Sequence, residues 1–324
     1  MDEKRLLEGD KFTKCQNMLL GIAFGDALGV GFELLMNREK VKEKFKFNHY
    51  LPGGPGWKSG QYSDDTQMSI AVTELLISKQ KFSRTNLADY FLRVYSRDPH
   101  NGYGGSVREG LKKSKTTKEF LGIIPGNSSG NGACMRAVPI GVLPKIEDVI
   151  KYAKINAKIT HNVVSAIASS VCVAVASHYF YYNLGKPEKV FDYCINICEK
   201  IDKESTEYFK AIRDMQKLNP VLLFGRENEF KGVPVNGMRT AGAVLYIISR
   251  FYKDPSKTLK EAILLGGDTD TTASICLGII AIKTGIKKLP SFLFSNLENN
   301  VYGRDYLIKI GEELEKIARA VPRP

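Results

Sequence analysis

The stretch Gly266-Gly267-Asp268-Thr269-Asp270-Thr271-Thr272 stands directly before a long apolar run near the end of the chain. That run, Ala273-Ser274-Ile275-Cys276-Leu277-Gly278-Ile279-Ile280-Ala281, is too long for a typical buried strand and predicts a buried helix. The acidic stretch therefore lies at a helix N-terminus, where the dipole and unpaired amides favour carboxylates. A well-capped helix explains this pattern alone, but its aspartates and threonines are also the hard oxygen ligands of a metal site.

A second acidic helix start has the same design. Ser63-Asp64-Asp65-Thr66 follows a glycine-rich loop and precedes a helix with an apolar face, residues 67–77. Two such starts indicate a meeting point, where four carboxylates would repel one another unless cations neutralised them. Oxygen ligands without nearby Cys or His favour Mg²⁺ or Mn²⁺ over zinc.

Five short motifs follow one another along most of the chain, between residues 21 and 285. They are Gly25-Asp26-Ala27-Leu28-Gly29 with Glu33, Ser63-Asp64-Asp65-Thr66, Gly130-Asn131-Gly132-Ala133-Cys134-Met135-Arg136, Thr160-His161, and Gly266-Gly267-Asp268-Thr269-Asp270-Thr271. In this order they resemble the motifs of the ADP-ribosylglycohydrolase family. That family includes the bacterial hydrolase that reactivates ADP-ribosylated dinitrogenase reductase and animal hydrolases acting on ADP-ribosylated arginine and serine.

The resemblance implies a dinuclear centre holding two Mg²⁺, with Mn²⁺ as the alternative metal. Its ligands would be Ser63, Asp64, Asp65, Asp268, Asp270 and Thr271. Ser63 stands where the family often has threonine, but the hydroxyl is retained. Glu33 and Asp65 are the candidates for stabilising the oxocarbenium-like charge or accepting a proton. From the residues alone, Glu33 is equally well explained as a solvated glutamate.

The loop at residues 125–132 is the candidate substrate-binding segment. Its glycines, serines and asparagines expose backbone amides before an apolar segment, which suits a diphosphate but also describes an ordinary polar turn. The resemblance favours ADP-ribose binding and implicates Ser128, Gly130 and Asn131. His161, at a helix start, is a cap by its position and a substrate contact by resemblance.

Helical periodicity dominates the chain, and convincing alternating strands are absent, so we predict an all-α fold. We expect a single domain over residues 1–324, with a charged lead-in at 1–15 and a loop-rich stretch at 36–62. The predicted helices, besides those starting at the two acidic motifs, cover 16–30, 86–95, 107–113, 135–140, 146–158, 163–182, 187–200, 204–218, 238–252, 256–264, 290–297 and 306–320.

Composition adds expectations about compartment and partners. The six cysteines lie mostly in apolar helical segments, which suits reduced residues in a cytoplasm. The sequence shows no uninterrupted apolar run of the roughly 20 residues that a membrane span needs, and we expect no membrane association and a monomer. The net charge of +12 fits either a lysine-rich solvated surface or steering of anionic substrates, including a diphosphate, with nucleic acid a lesser alternative.

The expected activity is metal-dependent hydrolysis of the bond between ADP-ribose and an ADP-ribosylated protein or small-molecule acceptor, with ADP-ribose as product. Arginine, serine, a nucleic-acid end and O-acetyl-ADP-ribose all remain open as acceptors. Two other classes stay open: a non-catalytic ADP-ribose-binding or crystallin-like relative, and a phosphoester hydrolase using the same metal pair.

Overall fold

The computed structural model describes residues 12–33, 35–78 and 80–320. The first eleven residues of the predicted charged lead-in lie outside these ranges. In chain order the α-helices are α1 (Lys14–Glu33), α2 (Arg38–Lys44), α3 (Asp64–Ile77), α4 (Arg84–Arg97), α5 (Gly105–Lys113), α6 (Thr117–Ile123), α7 (Ile146–Thr160), α8 (Val164–Tyr182), α9 (Val190–Cys198), α10 (Lys203–Asp214), α11 (Pro220–Phe224), α12 (Gly237–Phe251), α13 (Pro255–Leu264), α14 (Thr269–Thr284), α15 (Phe292–Ser295) and α16 (Arg304–Arg319). Among the described residues β-pairing is limited to two isolated bridges, so the prediction of an all-α fold is confirmed.

The centre of the fold is an antiparallel pair of buried helices, α1 and α14. Both are buried on nearly every side. Glycines at every fourth position of α1 let the two backbones touch: a Cβ on Gly25 would lie 2.3 Å from the carbonyl oxygen of Ala273, and one on Gly29 would lie 2.5 Å from Cα of Asp270. This close approach fixes the C-terminal end of α1 beside the start of α14.

Three helix ends meet at one place because of this pairing. The end of α1 lies against the start of α14, and α3 packs on both helices. The starts of α3 and α14 are the two acidic motifs, so the fold brings them together at the end of α1.

Several helix boundaries differ from the predicted ones. Glu33 is the last residue of α1 rather than a residue beyond it. The stretch 36–62 contains α2, and α6 was not predicted. The helix predicted over 135–140 is replaced by turns and a 3₁₀ helix, Val138–Val142, because Pro139 has no N–H for an α-helical bond. The predicted helix 187–200 is a 3₁₀ turn, Pro187–Lys189, followed by α9.

Two helices, α1 and α8, are long and apolar enough to cross a membrane by length and composition alone. Their apolar windows are 94% and 83% buried inside the fold. That is the position of core helices, since their apolar surface is already covered by protein.

Candidate metal centre and substrate cavity

A cavity of about 340 Å³ opens where the ends of α1, α3 and α14 meet. Apart from Ser63, the site residues predicted from the sequence all line it: Glu33, Asp64, Asp65, Ser128, Gly130, Asn131, His161, Asp268, Asp270 and Thr271. The structure therefore brings the predicted metal ligands and the predicted substrate contacts into one space.

Ser63 is fully buried at the start of α3. It is the N-cap residue, and its hydroxyl oxygen accepts a hydrogen bond from the backbone N–H of Asp65 at 3.2 Å. The same hydroxyl lies 3.4 Å from Oδ2 of Asp65. In this structure Ser63 thus holds the first turn of α3 and contacts a cavity carboxylate from behind.

A hydrogen bond links the two acidic motifs. The hydroxyl of Thr271, in the first turn of α14, donates to Oδ2 of Asp65 at 3.2 Å. The turn before α14 depends on Gly266 and Gly267, whose φ values are +71° and +75°. Residues that carry a side chain rarely adopt such values. A Cβ on Gly267 would also lie 2.1 Å from the carbonyl oxygen of Val233. Glycine is therefore required for α14 to begin at this point.

Glu33 belongs to the same acidic cluster. Three carboxylate oxygens, one from each of Glu33, Asp268 and Asp270, lie within 4.8 Å of one another. From the sequence, Glu33 is predicted to be a carboxylate that stabilises charge or accepts a proton rather than a metal ligand. Its position now makes both roles geometrically available, because α1 extends three residues further than predicted.

The carboxylates of this cluster repel one another and are shielded from water. Burial, followed by the neighbouring carboxylates, raises the pKa values of Asp64, Asp65 and Asp270 well above the ordinary range. Burial and the charge of Asp268 raise the pKa of Glu33 to about 7. Such a cluster is stable as carboxylates only with compensating positive charge.

One buried carboxylate oxygen indicates where a compensating cation would bind. Oδ1 of Asp65 is buried and accepts no hydrogen bond from any described residue. A buried carboxylate oxygen without a partner is costly unless a cation or a bound donor completes it. Together with the surrounding oxygens, it gives a donor set that suits a hard divalent cation.

Asp26 is a site residue that sequence reasoning did not single out. Its carboxylate is fully buried and accepts the backbone N–H groups of Ser63 and Thr66 at 2.9–3.0 Å and the Thr66 hydroxyl at 2.6 Å. Burial raises the pKa of Asp26 to about 6 despite these bonds. Asp26 therefore ties the start of α3 to α1. Its place in the Gly25-Asp26 motif was the only signal that the sequence offered.

The substrate-loop residues reach the acidic cluster through Asn131. Its side-chain amide donates to Oδ2 of Asp268 and to the hydroxyl of Thr240, the latter at 3.2 Å. Ser128 accepts the backbone N–H of Gly130 at 3.0 Å, which shapes the loop beside the cavity. The loop and α14 are thus joined by hydrogen bonds.

His161 lies against this loop at the end of α7. A Cβ on Gly132 would lie 2.6 Å from Cε1 of its ring, so glycine is needed for the ring to fit. Burial and the positive charge of Arg136 lower the pKa of His161 to about 3. The imidazole is therefore neutral at physiological pH.

Arg136 is a buried cation that sequence reasoning also missed as a site residue. It has no exposed surface, and it bonds to the side chain and carbonyl of Asn156 and to the hydroxyl of Thr160 rather than to a carboxylate. Burial lowers its pKa to about 9, which still leaves it charged near pH 7. Its charge lies beside a cavity rich in carboxylates.

Comparisons with known proteins find relatives of a single family. A family model described as ADP-ribosylglycohydrolase matches residues 8–323. The chain is 26% identical over 319 residues to the ADP-ribosylhydrolase ARH3 of Xenopus tropicalis, covering 86% of this chain and 89% of that protein. It is 25% identical over 287 residues to the ADP-ribosyl-[dinitrogen reductase] glycohydrolase of Rhodospirillum rubrum, covering 87% and 89%.

A solved structure has the same fold. It is titled "ADP-ribosylglycohydrolase-related protein complex" and matches with a TM-score of 0.65 at 20% identity, covering 94% of this chain and 98% of that one. At this identity the likeness shows the fold alone.

Proposed function

Since the chain belongs to the ADP-ribosylglycohydrolase family, we propose that it is a divalent-metal-dependent hydrolase that releases ADP-ribose from a modified protein side chain, arginine or serine. The family supports hydrolysis of an ADP-ribose linkage. The observation that carries the metal dependence is the unpartnered, buried Oδ1 of Asp65 at the meeting point of the two acidic helix starts.

The ligand set supports two Mg²⁺, with Mn²⁺ as the alternative, held by the oxygen atoms of Asp64, Asp65, Asp268, Asp270 and Thr271, with Ser63 behind them. If bound by these residues, the cations would supply Lewis acidity for the hydrolysis. Oxygen ligands alone favour these metals over zinc.

In the proposed reaction, carboxylates of the cavity accept a proton and stabilise the developing positive charge. Cleavage of the glycosidic bond passes through an oxocarbenium-like state, whose positive charge nearby carboxylates stabilise. Glu33, half-buried beside Asp268 and Asp270, is the proposed acceptor of the proton from the attacking water. Asp65 is the second candidate for this work.

The substrate loop and His161 position the remainder of the ADP-ribose. Backbone amides around Gly130 suit the diphosphate oxygens. Asn131 joins this loop to Asp268, so the binding and reacting parts of the substrate are held in fixed relation. Precise placement of this kind supplies a large part of the rate enhancement of an enzyme.

The proposed setting is a reducing compartment such as the cytoplasm, with the protein as a monomer. The six cysteines are all free and buried in the part of the chain that the structure describes, which supports a reducing compartment.

The deciding experiment incubates the protein and Mg²⁺ with ADP-ribosyl-arginine, ADP-ribosyl-serine and ADP-ribosylated DNA ends. Free ADP-ribose from the arginine or serine substrate supports the proposal. AMP would point instead to a two-metal phosphoester hydrolase, and binding without turnover would point to a non-catalytic ADP-ribose-binding relative.

A further inference from the structure

A second cavity of about 460 Å³ adjoins the substrate cavity. We call it the basic groove, and its accessible lining consists chiefly of Trp57, Asn101, Gly102, Arg108 and Lys112. None of these residues belongs to the predicted site.

The basic groove begins at the acidic end of the substrate cavity. Gly102 lines both cavities, and a Cβ on it would lie 2.1 Å from Oδ1 of Asp64. The preceding carbonyl, that of Asn101, accepts the backbone N–H of Asp64 at 3.0 Å. The basic groove therefore lies directly beside the proposed metal centre, within reach of the acceptor part of a bound substrate.

The charge of the basic groove is positive and not neutralised. Arg108 and Lys112 are exposed, lie one turn apart on α5, and form no ion pair with any residue that the structure describes. Their neighbour Lys113, by contrast, pairs with Glu109 at 2.6 Å. The remaining titratable side chain that can be charged near pH 7 is His100, which is buried and bound to Glu298 at 3.0 Å. Two unpaired cations thus face the groove.

The accessible aromatic side chain of the basic groove is an indole. Trp57 is half-buried and packs on Gly53, where a Cβ would lie 3.1 Å from the ring. The groove's tyrosines, Tyr95 and Tyr103, are buried, and Tyr103 donates its hydroxyl to Gln67 at 2.6 Å. Among the described lining residues, one half-buried aromatic ring, that of Trp57, therefore accompanies the two cations.

We propose that the basic groove binds an acidic segment of the acceptor protein, adjacent in sequence to its ADP-ribosylated residue. This inference rests on the proposed function. Carboxylates of the segment pair with Arg108 and Lys112, and its backbone packs on Trp57. Binding in this position brings the ADP-ribosylated side chain of the acceptor to the carboxylate of Asp64. A nucleic-acid strand fits less well, because such sites follow the backbone with several cations and stack successive bases on several rings.

Binding is tested first without turnover. Trp57 is the only tryptophan of the chain, so its fluorescence reports occupancy of the groove directly. We expect an unmodified peptide rich in Asp and Glu to change this fluorescence and the same peptide with Asn and Gln to have little effect, with affinity falling at high salt. In Arg108→Ala/Lys112→Ala the dissociation constant for the acidic peptide should rise roughly fivefold to tenfold.

The matched control is Lys287→Ala/Lys288→Ala, which also removes two positive charges from exposed residues. These lysines follow the C-terminal end of α14, whereas the acidic cluster lies at its N-terminal end. It should bind the acidic peptide as the unmodified chain does. Equal binding of acidic and neutral peptides, loss of binding in the control as well, or tighter binding of an oligonucleotide than of the peptide would each overturn the proposal.

Turnover separates this inference from the proposed function. In Arg108→Ala/Lys112→Ala, KM for an ADP-ribosylated acidic peptide should rise roughly fivefold to tenfold while kcat is unchanged. The same variant should hydrolyse an ADP-ribosylated single amino acid as the unmodified chain does. An unchanged KM for the peptide overturns the groove. Failure of every substrate, with acidic-peptide binding intact, refutes the proposed function while supporting the groove as an acidic-peptide site.

Discussion

The hydroxyl oxygen of Thr160 lies 2.7 Å from Nδ1 of His161. It also lies 2.8 Å from Nη2 of Arg136, which can only donate a hydrogen bond. Thr160 therefore accepts from Arg136. Because the described residues provide no other hydrogen-bond acceptor for the Thr160 hydroxyl hydrogen, we assign that hydrogen to Nδ1 of His161. The neutral imidazole must then carry its own hydrogen on Nε2, and the three residues form a relay that sets the histidine tautomer.

This relay predicts that Thr160→Val changes the tautomer population of His161, whereas Thr160→Ser preserves it. The isopropyl group of valine offers no hydrogen to Nδ1, so Nε2–H is no longer favoured. The ¹⁵N chemical shifts of the imidazole distinguish the two nitrogens directly. If His161 binds the substrate through Nε2–H, we expect KM to rise roughly fivefold in the valine variant, the loss of about one hydrogen bond, with kcat affected less. An unchanged ¹⁵N pattern would contradict the relay.

Removal of a single metal carboxylate should abolish most of the activity. We expect Asp268→Asn and Asp270→Asn each to lower kcat roughly 10²-fold or more and to reduce the rise in Tm that Mg²⁺ causes, because each removes a charged oxygen from the cluster. The control is Asp254→Asn, an exposed N-cap of α13 where asparagine caps equally well. Full activity of both site variants after chelator treatment, without added Mg²⁺, would rule out the metal centre.

The stabilisation by Mg²⁺ should increase with pH. The pKa values of Asp26 and Glu33 are raised to about 6 and about 7, so these groups hold protons in the metal-free folded protein. A raised folded-state pKa contributes stability that is present below the unfolded-state value, near 4, and is lost as pH rises through 6–7. Since a cation bound in the acidic cluster must displace the proton of Glu33, its effect is small at pH 5.5 and larger at pH 8. Thermal unfolding with and without saturating Mg²⁺ measures this difference, which a pH-independent shift would contradict.

The acidic helix starts could be predicted from the sequence because their signals are local. Two glycines before Asp268, and a serine before Asp64, mark a turn and an N-cap irrespective of the rest of the chain. The long apolar run after Asp270 indicates burial by itself. Their meeting in space was an inference, and the antiparallel packing of α1 on α14 explains it.

The remainder of the site depends on tertiary contacts that no local pattern encodes. Asp26 and Arg136 are buried charges whose partners lie about 20–40 residues away, so the sequence shows only an unexplained charge in an apolar segment. The helix containing Glu33 was predicted to end at Val30, because its apolar spacing is weak when every side of α1 is buried. The basic groove was not anticipated, since Trp57 and Arg108 are far apart in sequence.

The contact between α1 and α14 should be intolerant of a methyl group. In Gly25→Ala the new Cβ would lie 2.3 Å from the backbone of Ala273, so the helices must separate. We expect the free energy of unfolding to fall by about 2 kcal/mol or more. Gly122→Ala, whose Cβ would meet no atom within 4 Å, is the matched control and should leave stability unchanged or slightly raised. Urea unfolding of both variants measures the difference, and equal stability would show that this contact is looser than described.

Glu33→Gln separates three roles for the carboxylate that ends α1. A merely solvated glutamate predicts little change, although its half-buried position beside Asp268 and Asp270 argues against this role. A metal ligand predicts weaker Mg²⁺ binding and recovery of the rate in excess Mg²⁺. For a proton-accepting or charge-stabilising carboxylate, ADP-ribose binding is kept while turnover falls roughly 10²-fold or more at saturating Mg²⁺, and this is the result we expect. Calorimetry with ADP-ribose and single-turnover kinetics distinguish the three, and near-normal turnover would remove Glu33 from the mechanism.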